Sequence, residues 1–432
     1  MPQDLAKLLQ RSGAWLEAGR NAAGPGPDPG SGPRELHFEL TYSCNQRCLM
    51  CDIWPRYRRD PELKKEELTF EEIRTAVEES RLLDRLELIL FSGGEPFLRP
   101  DLARLVSYFA GRYPSARLAI LSNFFDRSLI VDTLAEIFRN APRAKIMLGT
   151  SLDGLGEKHD LIRGVPGAFA GFRLTLAEVR RLFPAVTVET NFTITPKNFD
   201  QLLPVHSFTR EEGIGFTAQF PIPWAGTEDL PWNPGELERA GGEIRRVMEA
   251  IHRDNSSRFR PAADSLLIRL QYLEGMLDYE RSPRRIFPRC PAPSRYAMFS
   301  PRGDLYFCPK LKEMTAGNLR RDPFDRLWLG EKAKRIREHI DSGRCHCWLN
   351  CTTYLNIAEA LERGMPPGRR RLLAAGKILY RGYRRALPLA LRIAAFPARA
   401  AVYFGAFLYL SVYTAGVRLR RRARIKGSPR GK

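Results

Sequence analysis

The sequence predicts an α/β fold, namely a partial (β/α)6 barrel followed by a small cysteine-rich domain and a basic helical tail. Six short strand-like runs occur between positions 35 and 220, and helical stretches separate them. Strands that alternate with helices indicate parallel β-α units. The second observation is that five of the eight cysteines lie within 290–351, which predicts a separate metal-binding region.

The strand-like runs are, in order, ELHFELT, LELILFS, ARLAILS, AKIMLGTSL, TVETNFTI and IGFTAQF. Between them we expect helices that include 70–83, 102–113, 129–139 and 172–183. An ordinary eight-unit barrel is the alternative, but no seventh or eighth unit precedes the second cysteine group. The pattern therefore favours an open barrel of six units.

The predicted domains follow from the composition along the chain: 1–33 form a short helix and a Pro/Gly linker, 34–230 the barrel, 231–285 a helical connection, 286–362 the cysteine-rich domain and 363–432 the tail. The linker AAGPGPDPGSGP can hold no regular structure. The N-terminus lacks the apolar core of a secretory signal, so we expect a cytoplasmic location without disulfides.

Residues that could bind a metal or a cofactor follow the predicted strands. Three cysteines follow the first strand, SGGEP (92–96) the second and SNF (122–124) the third. TSLDG (150–154) closes the fourth strand, and Asn191 lies late in the fifth. Barrels of this kind build their active sites at the carboxyl ends of the strands, so we expect one face to collect these residues.

The first three cysteines, Cys44, Cys48 and Cys51, lie within eight residues and predict a metal centre. Structural zinc would need a fourth ligand, for which Asp52 or His37 would have to serve. An iron–sulfur cluster normally takes four thiolates, and a cluster held by three would leave one iron open to a chelating cofactor. The spacing favours the cluster and leaves zinc as the alternative.

CxxxCxxC after a first strand, GGEP after a second and SLDG after a fourth together resemble the radical S-adenosylmethionine superfamily, over about 36–220. The resemblance implies a [4Fe–4S] cluster on Cys44, Cys48 and Cys51, whose open iron takes the amino and carboxylate groups of S-adenosylmethionine. Reductive cleavage would give a 5′-deoxyadenosyl radical that abstracts a hydrogen atom from a C–H bond. The expected electron donor is a low-potential protein such as ferredoxin or flavodoxin.

The GGEP motif has a physical basis in this role. Gly93 and Gly94 lack Cβ atoms, so their backbone can approach the methionine amino group. Glu95 can supply negative charge nearby, and Pro96 completes the motif. A pair of glycines is also typical of an ordinary strand-end turn.

Four further residues are expected cofactor contacts from the resemblance. Ser151, Asp153 and Asn191 match positions that face the ribose or methionyl portion of the cofactor. Arg163 could pair with the cofactor carboxylate. Met50 stands where the family usually has an aromatic residue, which weakens the expected adenine contact.

The second cysteine group consists of Cys290, Cys308, Cys345, Cys347 and Cys351. A hairpin through SPRGD could bring the first two together. The group resembles a reduced SPASM/twitch extension, which implies a second, auxiliary [4Fe–4S] cluster. Five cysteines can ligate one cluster with one to spare, and we expect Cys345 to be the spare. Structural zinc is the alternative, and His346 would suit it.

The net charge of +20 is concentrated in the tail. Residues 363–432 contain 15 Arg, 3 Lys and no acid, whereas 1–362 contain 51 basic and 49 acidic residues. The tail also holds an uncharged, mostly apolar run at 400–417, flanked by Arg on both sides. We expect peripheral or monotopic attachment to an anionic membrane surface. RNA binding is the alternative, which the apolar run disfavours.

These observations predict a membrane-associated radical enzyme whose substrate is a lipid or lipid-linked glycan. One alternative is a peptide- or protein-modifying enzyme, although the 33 residues before the barrel are few for a peptide-recognition domain. An alternative of another class is a non-catalytic metal-binding membrane adaptor, which GGEP and the three-cysteine site disfavour.

Overall fold

A computed structural model describes residues 1–22, 28–222, 230–256 and 263–368 of the chain. Met1–Ala250 and Ile268–Gly364 form one compact unit. A second unit contains Ile251–Leu267, and most of its other residues lie outside the described ranges.

The strands are β1 (Glu35–Thr41), β2 (Leu88–Gly93), β3 (Arg117–Ser122), β4 (Ile146–Ser151), β5 (Thr187–Thr193), β6 (Gly215–Gln219), β7 (Tyr296–Phe299), β8 (Asp304–Tyr306) and β9 (Gly317–Asn318). The α-helices in the described residues are α1 (Gln3–Asn21), α2 (Arg56–Arg59), α3 (Phe70–Glu78), α4 (Leu102–Arg112), α5 (Arg127–Asn140), α6 (Glu157–Arg163), α7 (Ala168–Leu182), α8 (Leu202–Glu211), α9 (Pro234–Ser256), α10 (Ala263–Arg281), α11 (Ala292–Arg295), α12 (Phe324–Leu329), α13 (Glu331–Asp341) and α14 (Asn350–Gly364).

The first six strands form the predicted parallel sheet. They lie side by side in sequence order, and each pairs in parallel with the next. Every predicted strand-like run overlaps one of them, with ends that agree within two residues. Helices cross between the strands as expected, and the α/β partial-barrel fold is confirmed.

The cysteine-rich region extends this sheet, which the sequence did not predict. β7 pairs in parallel with β1, from Glu35 opposite Tyr296 to Phe38 opposite Phe299. β8 then folds back antiparallel onto β7 through the predicted SPRGD turn, where Gly303 has a φ of 89°. All but the first residue of β1 are buried, and a buried strand needs a partner along each edge.

The N-terminal helix packs against the last helix of the unit. α1 contacts α14 closely enough that a Cβ atom on Gly19 would lie 1.8 Å from the backbone oxygen of Ala360. The buried face of α1 carries Leu5, Leu9 and Leu16. The predicted N-terminal segment therefore supports the helix that carries the last cysteine, Cys351.

The predicted membrane tail lies outside the described residues from 369 onward. In the ranges that the structure does describe, no helix has both the length and the apolar character needed to cross a bilayer.

Candidate active site

The inner side of the barrel sheet borders a cavity of about 620 Å³. Its size lies within the range of ordinary ligand sites. Eight of the residues predicted from the first part of the chain lie in its wall: Cys44, Cys48, Cys51, Gly93, Gly94, Ser151, Arg163 and Asn191.

The loop that carries the first three cysteines is held by the end of α6. The backbone N–H of Arg47 donates to the carbonyl of Arg163 at 2.9 Å, and that of Leu49 to the carbonyl of Ile162 at 3.0 Å. Gly164 follows with a φ of 65°, and a Cβ atom there would lie 2.3 Å from the oxygen of Arg47. Only glycine permits this close approach without strain.

The two glycines of GGEP hold the other side of the same loop. Gly93 ends β2 with a φ of 124°, and the N–H of Gly94 donates to the carbonyl of Thr41 at 2.7 Å. A Cβ atom on Gly94 would lie 2.2 Å from the oxygen of Ser43. The glycines thus allow the backbone of β2 to touch the start of the cysteine loop.

Glu95 and Pro96 are buried, and neither lies in the cavity wall formed by the described residues. The carboxylate of Glu95 accepts hydrogen bonds from the N–H groups of Asn123, at 2.7 Å, and Phe97, at 3.2 Å. Burial raises the pKa of Glu95 to about 7. This carboxylate, which the sequence analysis expects near the cofactor, accepts these hydrogen bonds from the backbone and positions the backbone after β3.

Asn123 is a site residue that sequence reasoning noted but did not select. Its side chain donates to the amide oxygen of Asn45 at 2.7 Å and lies 3.9 Å from the sulfur of Cys44. The next residue, Phe124, is buried with a φ of 57°, which is uncommon for a residue other than glycine. This turn at the end of β3 directs Asn123 toward the cysteine loop.

Arg163 contacts a cysteine of the loop and a buried acid. Its guanidinium donates to the sulfur of Cys48 at 3.4 Å and forms an ion pair with Asp153. Burial opposes the charge on Arg163, but Asp153 raises its pKa above the ordinary value. Asp153 is fully buried, accepts a hydrogen bond from the N–H of Thr193 at 2.7 Å and lies outside the cavity wall. The structure therefore places Asp153 behind Arg163, outside the cavity wall.

His159 belongs to the same buried group. It accepts a hydrogen bond at Nδ1 from the backbone N–H of Asp153 at 3.1 Å. Burial, followed by the charge of Arg163, lowers the pKa of His159 to about 2, so the imidazole is neutral. The positive charge beside Cys48 therefore belongs to Arg163.

The donor set fits an iron–sulfur cluster. Cys44, Cys48 and Cys51 are free thiols, and burial raises the pKa of Cys44 to about 12 and that of Cys48 above its ordinary value. Such thiols ionise when a metal centre supplies positive charge, so metal binding displaces protons. Gln46 lies in the same wall, 1% exposed, and its Nε2 has no hydrogen-bond partner among the described residues. A bound sulfide or cofactor oxygen would give this donor a partner.

In the described residues, no three His, Cys, Asp or Glu side chains converge on the position of a single metal ion.

The rest of the cavity wall has an apolar part and a polar part. Leu88, Leu90, Leu121 and Met147 of β2 to β4 form the apolar part. Glu189, Asn191, Thr217 and Gln219 of β5 and β6 form the polar part. Apart from Asn191, sequence reasoning did not select these residues. The two-residue period of each strand was the available signal, because alternate residues share a face.

The second cysteine group lies beside this cavity. Cys290, Cys308, Cys345 and Cys347 line a small space of about 40 Å³, whereas Cys351 lines the large cavity. The pKa of Cys351 is raised first by burial and then by the nearby thiols of Cys308, Cys347 and Cys290. One cysteine of the second group therefore faces the space bordered by the first group.

His346, which sequence analysis considered as a zinc ligand, has other contacts. Its Nδ1 lies 2.9 Å from the hydroxyl of Tyr279, and its backbone oxygen accepts from Lys310 at 2.6 Å. Burial, followed by the charge of Lys310, lowers its pKa.

A hydrogen bond connects the second cysteine region to strand β5 of the barrel. The side chain of Asn350 donates to the amide oxygen of Asn191 at 3.4 Å, and Thr217 donates to the same oxygen at 3.1 Å. Asn350 directly precedes Cys351, so the end of β5 and the start of α14 are held together at the cavity.

Comparison with known proteins agrees with this arrangement. The family model of the Radical SAM superfamily matches residues 38–205, and that of the SPASM iron-sulfur cluster-binding domain matches residues 290–352. The chain is 26% identical to an AdoMet-dependent heme synthase of Methanosarcina barkeri, over 72% of this chain and 87% of the relative. It is 24% identical to a pre-heme d1 synthase of Dinoroseobacter shibae, over 71% and 77%. It is 23% identical to the antilisterial bacteriocin subtilosin biosynthesis protein AlbA of Bacillus subtilis, over 72% and 65%.

The matched ranges contain both cysteine groups and strands β2 to β5 of the cavity wall, whereas β6 lies outside them. The two domains imply a [4Fe–4S] cluster that works with S-adenosylmethionine, and an auxiliary cluster. The chain is an enzyme with a radical S-adenosylmethionine domain over residues 38–205 and a SPASM iron–sulfur domain over residues 290–352.

Proposed function

We propose that this enzyme cleaves S-adenosylmethionine reductively and abstracts a hydrogen atom from a C–H bond of a substrate held in the 620 Å³ cavity. The observation that carries the proposal is that Cys44, Cys48 and Cys51 share this cavity with Cys351 of the second group. When bound at the first three cysteines, the cluster and S-adenosylmethionine supply the radical chemistry. The division into a barrel at 34–230 and an auxiliary domain at 286–362 is part of the proposal.

The chain's own residues would bind and orient the cofactor. Gly93 and Gly94 present backbone to the cavity for its methionyl group, and Ser151 and Asn191 offer hydrogen bonds from the ends of β4 and β5. Arg163 holds positive charge beside Cys48, where a thiolate ligand is stabilised. Asp153 keeps that arginine charged and oriented from the buried side.

The cavity wall supports an amphipathic substrate. Asn191, Thr217 and Gln219 suit neutral hydroxyl or amide groups, while the leucines of β2 and β3 suit an apolar body. Glu189 presents a carboxylate on the same side, and burial raises its pKa. An anionic group of the substrate would be repelled there. A lipid-linked glycan combines hydroxyls with an apolar chain, and we propose this substrate class. Attachment of the tail to an anionic membrane would bring the enzyme to such a substrate and is part of the same proposal.

A tetrapyrrole is the second candidate. Two relatives that align with more than two thirds of this chain are named for the synthesis of heme and pre-heme d1. The bacteriocin relative supports peptide modification in the same way. At 23–26% identity the substrates of relatives do not carry over by themselves, because one fold hosts many substrates.

The proposal is tested by incubating the anaerobically reconstituted enzyme with S-adenosylmethionine, a reductant and fractionated extracts of cells grown in deuterated water. Abstraction from a substrate transfers deuterium to 5′-deoxyadenosine, so the fraction that labels it contains the substrate. We expect the lipid fraction to do so. If the tetrapyrrole or peptide fraction labelled 5′-deoxyadenosine instead, the proposed substrate class would be wrong, whereas the proposed hydrogen-atom abstraction would stand.

The variant in which Cys44, Cys48 and Cys51 are all alanine should form no 5′-deoxyadenosine. Cys345→Ala, which removes the expected spare cysteine, is the matched control and should retain this activity. If the triple variant were as active as the control, the assignment of the three cysteines would be wrong. If the wild-type protein itself formed no 5′-deoxyadenosine, the result would favour the alternative that the chain is a non-catalytic metal-binding adaptor.

A further inference from the structure

A second cavity, of about 500 Å³, borders the auxiliary cysteine region. Six arginines and two acids, Asp341 and Glu359, contribute to its wall. The arginines are Arg20, Arg34, Arg289, Arg295, Arg337 and Arg363. We call this cavity the arginine recess.

Cys290 belongs both to the arginine recess and to the small space that contains three other auxiliary cysteines. Cys351 of the same group faces the substrate cavity. An auxiliary cluster would therefore have one ligand toward the substrate and another toward the recess. Electron transfer becomes slow as distance grows, so a redox partner must dock where a ligand approaches the surface.

The arginines of the recess differ in how much of their charge is already paired. Arg295 forms ion pairs with Glu35 at 2.8 Å and with Glu87 at 3.0 Å, so much of its charge is offset. Arg289 directly precedes Cys290, is exposed, and has no hydrogen bond or ion pair within the described part of the chain.

Arg337 is held by backbone oxygens of Pro293 and Trp328, and its Nη2 is buried without a hydrogen-bond partner among the described residues. Burial lowers the pKa of Arg337 to about 10, so it remains charged near neutral pH. The recess therefore presents positive charge at its rim and in its wall.

We propose that the arginine recess is the docking surface for an acidic electron-transfer protein that exchanges electrons with the auxiliary centre through Cys290. This inference rests on the auxiliary cluster of the proposed function. Arginine is enriched at protein interfaces, and complementary charge steers association and sets its rate. In the reducing direction, one electron leaves the partner's iron centre and one enters the auxiliary cluster, and no bond or proton is exchanged.

The test uses the complete holoenzyme and a reduced, strongly acidic [2Fe–2S] ferredoxin as the probe. Stopped-flow absorbance follows oxidation of the ferredoxin, and calorimetry measures its binding. Arg289→Glu should lower the second-order rate constant at least about fivefold at low ionic strength, and this difference should shrink as salt screens the charges.

Two variants make the result specific. Arg143→Glu makes the same charge change at an exposed position before β4, which is four strand positions from β7, and it should leave the rate unchanged. Asp341→Lys removes an acid from the recess and should increase the rate. A higher rate constant cannot result from a damaged fold. This variant therefore distinguishes an electrostatic effect on docking from a loss of protein stability.

Equal effects of Arg289→Glu and Arg143→Glu, or ferredoxin binding without electron transfer, would overturn the docking proposal while leaving cofactor cleavage intact. Zinc in place of the auxiliary cluster would overturn both the docking proposal and the auxiliary part of the proposed function. Absence of cofactor cleavage with normal electron transfer would overturn the proposed reaction alone.

Discussion

The guanidinium of Arg163 lies 3.4 Å from the sulfur of Cys48. The two residues are far apart in sequence, yet they form one wall of the candidate active site. Asp153, which is fully buried, pairs with the same guanidinium. A fixed positive charge beside a thiolate ligand favours the ionised form that iron requires.

Arg163→Met should strongly destabilise the metal-free protein, because it leaves the carboxylate of Asp153 buried without its partner. Breaking a buried pair in this way costs about 3–5 kcal/mol of unfolding free energy. Urea unfolding followed by circular dichroism measures the change.

Arg180→Met is the matched control, because Arg180 forms an exposed ion pair with Glu212 at 2.7 Å. Loss of an exposed pair should cost less than about 1 kcal/mol. Adding Asp153→Leu to Arg163→Met should recover part of the stability, and equal losses in the two single variants would contradict the buried pairing.

Glu95 should make stability depend on pH. Burial raises its folded-state pKa from 4.5 to about 7. The folded protein therefore holds this proton more tightly than the unfolded chain does, and the contribution present below pH 4.5 is lost as the pH rises through 7. The loss is about 3 kcal/mol at 1.36 kcal/mol per pKa unit.

Glu95→Gln cannot ionise and should lack this dependence. The difference in unfolding free energy between wild type and variant should fall by about 3 kcal/mol as the pH rises from below 4.5 to above 7. Subtracting the variant removes the contribution of other titrating groups. A difference that stays constant with pH would show that this carboxylate is not buried as described.

Gly94→Ala should disrupt the cysteine loop, because the new Cβ atom would lie 2.2 Å from the oxygen of Ser43. We expect reconstituted protein to lose iron from the first site and to form little or no 5′-deoxyadenosine. Gly111→Ala in α4 is the control, since no atom lies within 4 Å of its Cβ position. That change should preserve iron and could add up to about 1 kcal/mol of stability. Full iron content in Gly94→Ala would refute the close approach.

The contact between α1 and α14 can be tested with two glycines of the same helix. A Cβ atom on Gly19 would lie 1.8 Å from the backbone oxygen of Ala360, whereas that of Gly13 has no neighbour within 4 Å. Gly19→Ala should destabilise the protein by roughly 1–3 kcal/mol, since overpacking forces backbone shifts. Gly13→Ala should be neutral or stabilising in thermal unfolding. Similar melting temperatures for the two variants would exclude the close helix contact.

Alanine substitutions of the auxiliary cysteines should differ in their effect on the iron content of the protein. With two clusters the wild-type enzyme should hold about eight irons. Cys345→Ala should keep them, whereas Cys351→Ala should lose those of the auxiliary cluster, because the thiols of Cys308, Cys347 and Cys290 are near enough to raise the pKa of Cys351. Iron and acid-labile sulfide analysis distinguishes the two variants. Four irons with one zinc in the wild type would restore the structural-zinc alternative.

Local sequence determined the barrel strands and the approximate site. The alternation of apolar runs with amphipathic stretches predicted all six parallel strands, because side-chain period and turn residues act over short distances. The carboxyl ends of parallel strands meet on one side of a sheet, so strand order alone placed Gly93, Ser151 and Asn191 near the first three cysteines.

Tertiary structure decided which of these side chains face the cavity. Glu95 and Asp153 are both acidic residues, and the sequence does not show what either of them contacts. In the structure, Glu95 is buried against backbone N–H groups and Asp153 against Arg163. A carboxylate removed from water must be paired or hydrogen-bonded, and its partner is found only when the chain has folded.

The pairing of strands that are distant in the chain could not be predicted from the sequence either. The attachment of β7 to β1 joins residues about 260 positions apart, and it brings Cys351 to the barrel cavity and Cys290 to the arginine recess. The local periodicity of the sequence does not indicate which strand will pair with an open edge of the barrel sheet. That choice depends on which backbone groups remain unpaired after the barrel forms, and therefore on the whole fold.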